Sequence, residues 1–534
     1  MASIPNLEIL VGRPTGGALV QEYLSGEGSV ERFFGPGFDT WAAFEAKMAE
    51  VDGRFDREAR ARAAEAVIVP PGGDASRLQR FVEEGGYMVT TGQQAALFGG
   101  PLYNVFKALT AVRLAEALEE RVGKPVLPLF WVSSEDHDWE EACHADVIGV
   151  DNELHRVALA PPDPDVAPAL HRITLGEEVA DAVKTFLSYL PDTDFSPEYD
   201  ELLSSSYEPG STLVDGFHET LQHLLGSTGL YFTDAIHPVV KRDSAPVVLA
   251  ELERAEELEK VLRGTASDVE AGGYALQVPI LEGSVNLFAE GPAGRERLYR
   301  ENGSFRLRTS GQEVSADELR ERFAADPDVL SPNVLLRPVV ESALFPTLTY
   351  VGGPGEMAYF GQLRDYFEAH GVGMPVVFPR WSATLVEGKI GKVLAKFDLD
   401  VDALDRPFHE LASELAREEV PGEVRAALGK LRGAIGSGIG ELTKVARGVD
   451  ETLKGPVQQG GSQALGILDD LEKKIVQAVK RQSEVSLAQL EKAQVHLFPG
   501  GKPAERVQSP FYFLSRYGGA LLEALHERFE VNLD

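Results

Sequence analysis

Between residues 88 and 138 the apolar positions change period twice. Residues 86–91 are short and apolar enough for a buried strand. After a turn over residues 92–100, Leu102, Val105, Phe106, Leu109 and Val112 recur at spacings of three and four, one face of a helix, while Tyr103, Lys107 and Thr110 share another. Pro101 suits the first helical turn, where its missing N–H is not needed, and Gly123 ends the helix. Residues 126–132 are almost continuously apolar, as expected of a strand covered on both faces of a parallel sheet. The pattern predicts one βαβ unit.

The same order returns later in the chain. A strand candidate at 346–351 leads into the turn G-G-P-G-E, then Met357, Phe360, Leu363 and Phe367 keep helical spacing, and P-V-V-F-P-R-W reads as a second strand. V-G-K-P-V-L-P-L-F-W at 122–131 is echoed by V-G-M-P-V-V-F-P-R-W at 372–381, each after a helix preceded by G-G-P. Two similar half-units facing each other across a topological switch would place a ligand outside their carboxyl ends.

The flanking regions read differently. Residues 1–85 are mainly helical in pattern. Residues 151–332 carry an acidic helical segment near 250–262 and strand signals from 273 to 300, and read as continuing core with insertions. Farther on, Val424, Leu428, Leu431, Ile435, Ile439, Leu442, Val445 and Val449 keep helical spacing, and Ala464, Leu468, Leu471, Ile475, Ala478, Gln482 and Val485 alternate fours and threes, the seam of a coiled coil. The expectation is a helical hairpin joined by G-P-V-Q-Q-G-G-S, with a homodimer covering its exposed faces. The implied division is 1–150 and 151–332 for the first part of the core and its continuation, 333–400 for its second half, 401–498 for the hairpin and 499–534 for a return to the core.

Composition narrows the function classes. The chain has 534 residues, more than one hydrophobic core normally organises, and 43% hydrophobic content. Its 51 Lys and Arg against 84 Asp and Glu give a formal charge of −33, which argues against a nucleic-acid partner without a segregated basic patch. No window approaches the roughly 20 apolar residues of a membrane span, and no signal segment is visible, so a cytoplasmic protein without membrane contact is expected. One cysteine, Cys143, rules out an intramolecular disulfide and multi-thiolate metal sites. It is a poor nucleophile candidate, because Glu140 and Glu141 raise a neighbouring thiol's pKa.

Four polar residues follow the second strand directly: Glu135, Asp136, His137 and Asp138. In extended geometry Glu135 and His137 point one way and Asp136 and Asp138 the other. A histidine between carboxylates suits general acid or base work or ligation of a divalent ion, whereas the structural alternative is an acidic helix N-terminus. No second histidine stands at a recognised zinc spacing, so no zinc is expected. Thr91, Gly92, Gln93 and Gln94 form a polar strand-to-helix turn able to hold a carboxylate or phosphate, or only to turn the chain. Lys107 and Tyr103 could face the same ligand. In the second half Tyr350, Gly352, Gly353, Gly355 and Glu356 build a turn that backbone can approach closely, with Tyr359 on the following helix. Arg380 suits bidentate binding of carboxylate or phosphate, its alternative being a structural ion pair. Asn333 and Arg337, in S-P-N-V-L-L-R-P, complete the candidates, with Lys389 more remote.

Several of these segments together resemble a known family. T-G-Q-Q-A, G-P-L-Y-N-V-F-K, F-W-V-S-S-E-D-H-D-W-E-E, S-P-N-V-L-L-R-P, Y-V-G-G-P-G-E-M-A-Y-F and P-G-G-K-P-A-E-R-V look like the cysteine-adding enzymes of bacillithiol biosynthesis, in family order over nearly the whole chain. The resemblance implies an α/β fold: a Rossmann-like, nucleotidylyltransferase-type core with connecting-peptide insertions and an α-helical coiled-coil domain that dimerises. It also implies a carbon–nitrogen ligase joining L-cysteine to glucosaminyl malate. ATP and Mg2+ are candidate cofactors that the sequence does not establish. In that scheme the T-G-Q-Q turn and Lys107 hold anionic groups, residues 135–138 handle protons or magnesium, and Arg380 engages the malate carboxylates. The rivals are a synthetase-like protein acting on another amine, whose H-I-G-H and K-M-S-K-S signatures are absent, and a non-catalytic coiled-coil scaffold.

Overall fold

A computed structural model describes residues 4–533 apart from 27, 162, 164, 419 and 483, with the backbone alone for 418 and 482. The chain divides into two compact units, residues 1–385 with 505–534, and residues 386–504.

In the first unit the chain runs through β1 (Tyr87–Gln93), α1 (Tyr103–Val122), β2 (Val126–Val132), the short α2 (Trp139–Ala142), β3 (Tyr231–Asp234) and α3 (Pro238–Glu253). It continues through β4 (Ser284–Gly291), β5 (Gly294–Glu301), β6 (Ser304–Leu307), β7 (Glu313–Val314) and β8 (Leu330–Pro332), then β9 (Thr347–Gly352), α4 (Pro354–Phe360) and β10 (Val376–Pro379). The central sheet is parallel, in the order β10-β9-β1-β2-β3. From β1 the chain winds outward to β2 and β3, and from β9 it winds the other way to β10. The switch lies between β1 and β9, where the two half-units meet.

Alternation within each strand covers both faces. Met88, Leu127, Leu129 and Trp131 enter one buried core, while Tyr87, Val89 and Val126 enter another that includes Ala111, Leu114, Ala115 and Leu118 of α1. Each fully buried leucine or valine contributes about 1.5–3 kcal/mol over its exposed state. Helix α1 ends where Gly123 adopts φ 70° and its N–H donates to Glu119 O. Side chains also tie the halves together: Thr90 donates to the Glu341 carboxylate, and Thr91 Oγ1 to Val351 O at 2.8 Å.

A second, antiparallel sheet takes the order β7-β6-β5-β4-β8. It belongs to the insertion between the half-units. The amino-terminal region is helical as expected, except for an extended segment at Leu7–Gly12. The single stripe from Met357 to Phe367 is two short helices, α4 and Arg364–Ala369, rather than one.

The second unit is helical. After α5 (Gly388–Phe397) and the helix Phe408–Glu418, the hairpin pairs α6 (Gly422–Val449) with α7 (Lys454–Gln482), and α8 (Glu484–Leu497) follows. The expected connector is corrected: G-P-V-Q-Q-G-G-S lies inside α7, and the turn is residues 450–453, where Asp450 accepts from Thr452 N–H. Pro456 occupies the first turn of α7, where it has no intrahelical donor to lose, and Gly461 packs under Ile439, which a Cβ there would meet at 2.9 Å. Arg432 bridges the pair to Asp469 and Glu472 at 2.7 and 3.0 Å.

Candidate functional site

At the carboxyl ends of β1, β2 and β9 lies a cavity of about 400 Å3. Six cationic side chains, Lys107, Arg295, Arg297, Arg337, Arg380 and Arg506, and four acidic ones, Glu135, Asp136, Glu141 and Glu356, line it. The local balance is positive in a chain of charge −33. Which of these groups are already paired decides what the cavity can bind.

Lys107 is one of the paired groups. It is 1% exposed, and its ammonium donates to Gly92 O, to Gln93 Oε1 at 3.2 Å and to Glu356 at 2.8 Å. An ammonium has three protons, so its donor capacity is used. Glu356 also accepts from Gly353 N–H at 2.8 Å and from Tyr350 OH, and Tyr350 accepts from Arg337 at 3.2 Å. Arg337 in turn meets Glu341 at 2.6 Å and Tyr359 OH at 3.4 Å. This network crosses the switch and locks the half-units together. Burial favours the neutral forms, lowering Lys107; Glu356 nevertheless stays below the ordinary glutamate value, because Lys107 and two hydrogen bonds hold its charge.

The chain turns at residues 133–136 beyond β2, where Asp136 N–H donates to Ser133 O, and runs irregularly to α2, so the expected extended alternation is corrected. Glu135 is spent on Lys241 of α3 at 2.6 Å. Asp138 caps α2, accepting from Glu141 N–H at 3.1 Å, which is the helix-terminus alternative, and it does not line the cavity. Asp136 and His137 do line it. Arg295 Nη1 donates to His137 Nδ1 at 2.9 Å, which requires Nδ1 to be unprotonated and leaves Nε2 as the donor of a neutral ring. Burial alone would raise Asp136, but His137 and Arg295 hold it below the usual aspartate value.

Other candidates prove structural. Arg380 forms a bidentate pair with Glu505, at 2.6 and 3.2 Å, with both side chains almost wholly buried, so its guanidinium is committed. Thr91 is pinned to β9 and, like Gly352, lies off the cavity. Asn333 lines the wall but is occupied by Asn286 and by the Leu335 and Leu336 N–H groups. Gln93 bridges Tyr103 and Lys107, and Gln94 donates to Asp138 O at 3.1 Å. Gly92, Gly353, Gly355, Tyr350 and Tyr359 shape the cavity wall. Lys389, in the second unit, pairs with Glu387 at 3.4 Å.

The sequence reading missed Arg295, Arg297, Glu141 and Arg506. Strand alternation puts Arg295 and Arg297 on one face of β5 against Phe288, at 3.9 and 5.6 Å from its ring. Arg295 is consumed by His137, Ser331 and Pro332 O. Among the described residues, the Arg297 and Arg506 guanidiniums and the Glu141 carboxylate have no hydrogen-bond or ion-pair partner. Burial, with Asp138 and Asp136 nearby, raises Glu141 above the ordinary glutamate value. Trp131 lines the same cavity at 1% exposure, and its indole N–H lacks an acceptor. The quoted motifs held a signal for two of these residues: Glu141 ends the E-D-H-D-W-E-E string, and Arg506 stands in P-A-E-R-V.

The comparisons with known proteins agree with this layout. The model of the bacillithiol biosynthesis BshC N-terminal Rossmann-like domain matches residues 8–381, and that of the BshC C-terminal coiled-coil domain matches residues 383–532. The chain belongs to the BshC family. Relatives bearing the name "Putative cysteine ligase BshC" include one from Salinibacter ruber, 33% identical over 86% of this chain and 83% of that protein. Others come from Chlorobaculum tepidum, 34% identical over 82% and 80%, and Geobacillus thermodenitrificans, 28% identical over 96% of each. The coiled-coil model of the BshC family takes in residues 505–532, yet Glu505 and Arg506 belong to the first unit, where they complete the cavity.

The residues also fit a magnesium-bound anion in type. Glu135 and Glu356 are spent on lysines, whereas Asp136 keeps an oxygen available, and magnesium is held through one or two carboxylates and a substrate's phosphates.

Proposed function

We propose that this chain is a carbon–nitrogen ligase that adds L-cysteine to glucosaminyl malate through an amide bond, forming bacillithiol. The observation that carries the reading is the cavity at the switch between the two half-units, net cationic in an acidic chain and supplied with unpaired charged groups, in a member of the BshC family. Its acceptor carries two carboxylates, and cysteine brings a third.

Amide formation from a free carboxylate requires activation of the acyl carbon, for which ATP is the proposed co-substrate. A magnesium ion held by Asp136 would offset charge on the phosphates. The amine of the acceptor must lose a proton before it attacks, and Glu141 is the proposed proton acceptor: a carboxylate with no ion pair among the described residues, raised above the ordinary glutamate value by burial and by Asp138 and Asp136. His137, held through Nδ1, offers Nε2–H to an oxygen, and Trp131 Nε1–H is a second donor. Lys107, Arg337 and Arg380 act as positioning residues that hold β1, β9 and the returning C-terminal segment in register.

The helical unit supports a homodimer in this proposal. Leu431, Leu442, Val445 and Val449 fall on one stripe of α6 and are 47–79% exposed. Among the described residues, no helix is long and apolar enough to cross a membrane.

Mass spectrometry of purified protein given glucosaminyl malate and L-cysteine, with and without ATP and magnesium, tests the reading. The expected product is bacillithiol in the complete mixture. No bacillithiol in any mixture, from folded protein, overturns the ligase.

A further inference from the structure

The cavity's cations sort into two groups. Four are saturated: Lys107 on Glu356, Arg337 on Glu341, Arg380 on Glu505, and Arg295 on His137 and Ser331. Arg297 and Arg506 are left with no carboxylate partner among the described residues. They reach the cavity from separate elements, β5 in the inserted sheet and the segment after the helical unit.

Each free arm stands on a fixed neighbour. Arg297 lies over Phe288, and its strand neighbour Arg295 is anchored to Ser331 and Pro332 O. Glu505, buried against Arg380 and Ser382, fixes the backbone beside Arg506. The Arg506 guanidinium lines the cavity with Glu141 and Tyr103, and its charge opposes part of the rise that burial gives both. Two guanidiniums without partners, carried on anchored backbone into a concave site, suit oxyanions, which they can bind through paired N–H donors.

We propose that Arg297 and Arg506 are the specificity-determining arms for the acceptor, gripping the two carboxylates at its dicarboxylate end. The shared chemistry is a pair of oxyanions, which a nucleotide's phosphates could also supply. The dicarboxylate is the better match: two negative charges meet two unpaired cations, whereas a nucleotide's phosphates have their own counter-charge in the magnesium ion proposed at Asp136. The assignment rests on the ligase reading only for the identity of the acceptor.

Calorimetric titration of the full chain with glucosaminyl malate, with its dimethyl ester and with MgATP tests the arms. Arg297→Ala and Arg506→Ala should each weaken diacid binding roughly tenfold to a hundredfold. Both should leave the diester and MgATP unchanged and remove the preference of the unaltered protein for diacid over diester. Arg506→Lys, which keeps the charge but loses the fork, should recover part of the affinity. The partly or fully exposed positions of both residues leave the fold intact, which equal melting temperatures would check. Unchanged diacid binding, or a loss confined to MgATP, overturns the assignment. A protein that grips the diacid through these arms and forms no amide removes the ligase reading and leaves the arms standing. One that forms the amide while both variants bind normally does the reverse.

Discussion

Lys107 and Glu356 show what the site asks of single residues. Lys107 is buried with every donor used, so its partner cannot be removed without leaving a charge stranded. Glu356→Gln is expected to cost about 3–5 kcal/mol, read by denaturant unfolding. Because Glu356 titrates below the ordinary glutamate value in the folded protein, its contribution is full above the unfolded value and lost as pH falls through the folded one. The unaltered protein should therefore lose this part of its stability in acid, and the variant should lack it. At this scale the sequence was partly legible. E-D-H-D stood out because four ionisable groups follow an apolar strand, but their use depends on Lys241 and Arg295, over 100 residues away, which no local pattern reveals. The same distance hid the pairing of Arg380 with Glu505.

The elements were more legible, because periodicity is a local property. The strand at 126–132, α1 with its glycine stop, and the two later strands with the turn between them follow from spacing and punctuation, whereas the helical stripe after that turn breaks into two. The hairpin turn misled the reading, since glycines and a proline look like a break, whereas in α7 the proline falls in the first turn and Gly461 makes room for Ile439. Gly92 carries the sharpest test at this scale. A Cβ there would meet Trp131 O at 2.7 Å, a backbone atom of the neighbouring strand that cannot step aside. Gly92→Ala should push β1 from β2 and lower the melting temperature by several degrees, the effect of about 1–3 kcal/mol in overpacking. An unchanged melting temperature would show that the strand pair tolerates the added atom.

For the whole molecule, net charge said little about the site. The −33 is spread over the chain, while the cavity collects an excess of cations from segments far apart in sequence. The helical unit leaves an apolar stripe on α6, and pairing two copies is the proposed way to cover it. Light scattering should give the mass of two chains, and Leu442→Glu with Val445→Glu should give one. The dimeric mass persisting in that variant would rule this stripe out as the interface.

The central claim is that the amide forms in the cleft between the half-units. Its most direct test is the pH profile of bacillithiol formation by the unaltered protein and by Glu141→Gln, with folding checked by circular dichroism. Glu141 acts as a base only when ionised, and its surroundings raise its pKa, so kcat/KM of the unaltered protein should climb with pH through a value above the ordinary glutamate range. Glu141→Gln should lose that limb and about a hundredfold or more in rate. A folded variant with an unchanged rate and profile would contradict the claim.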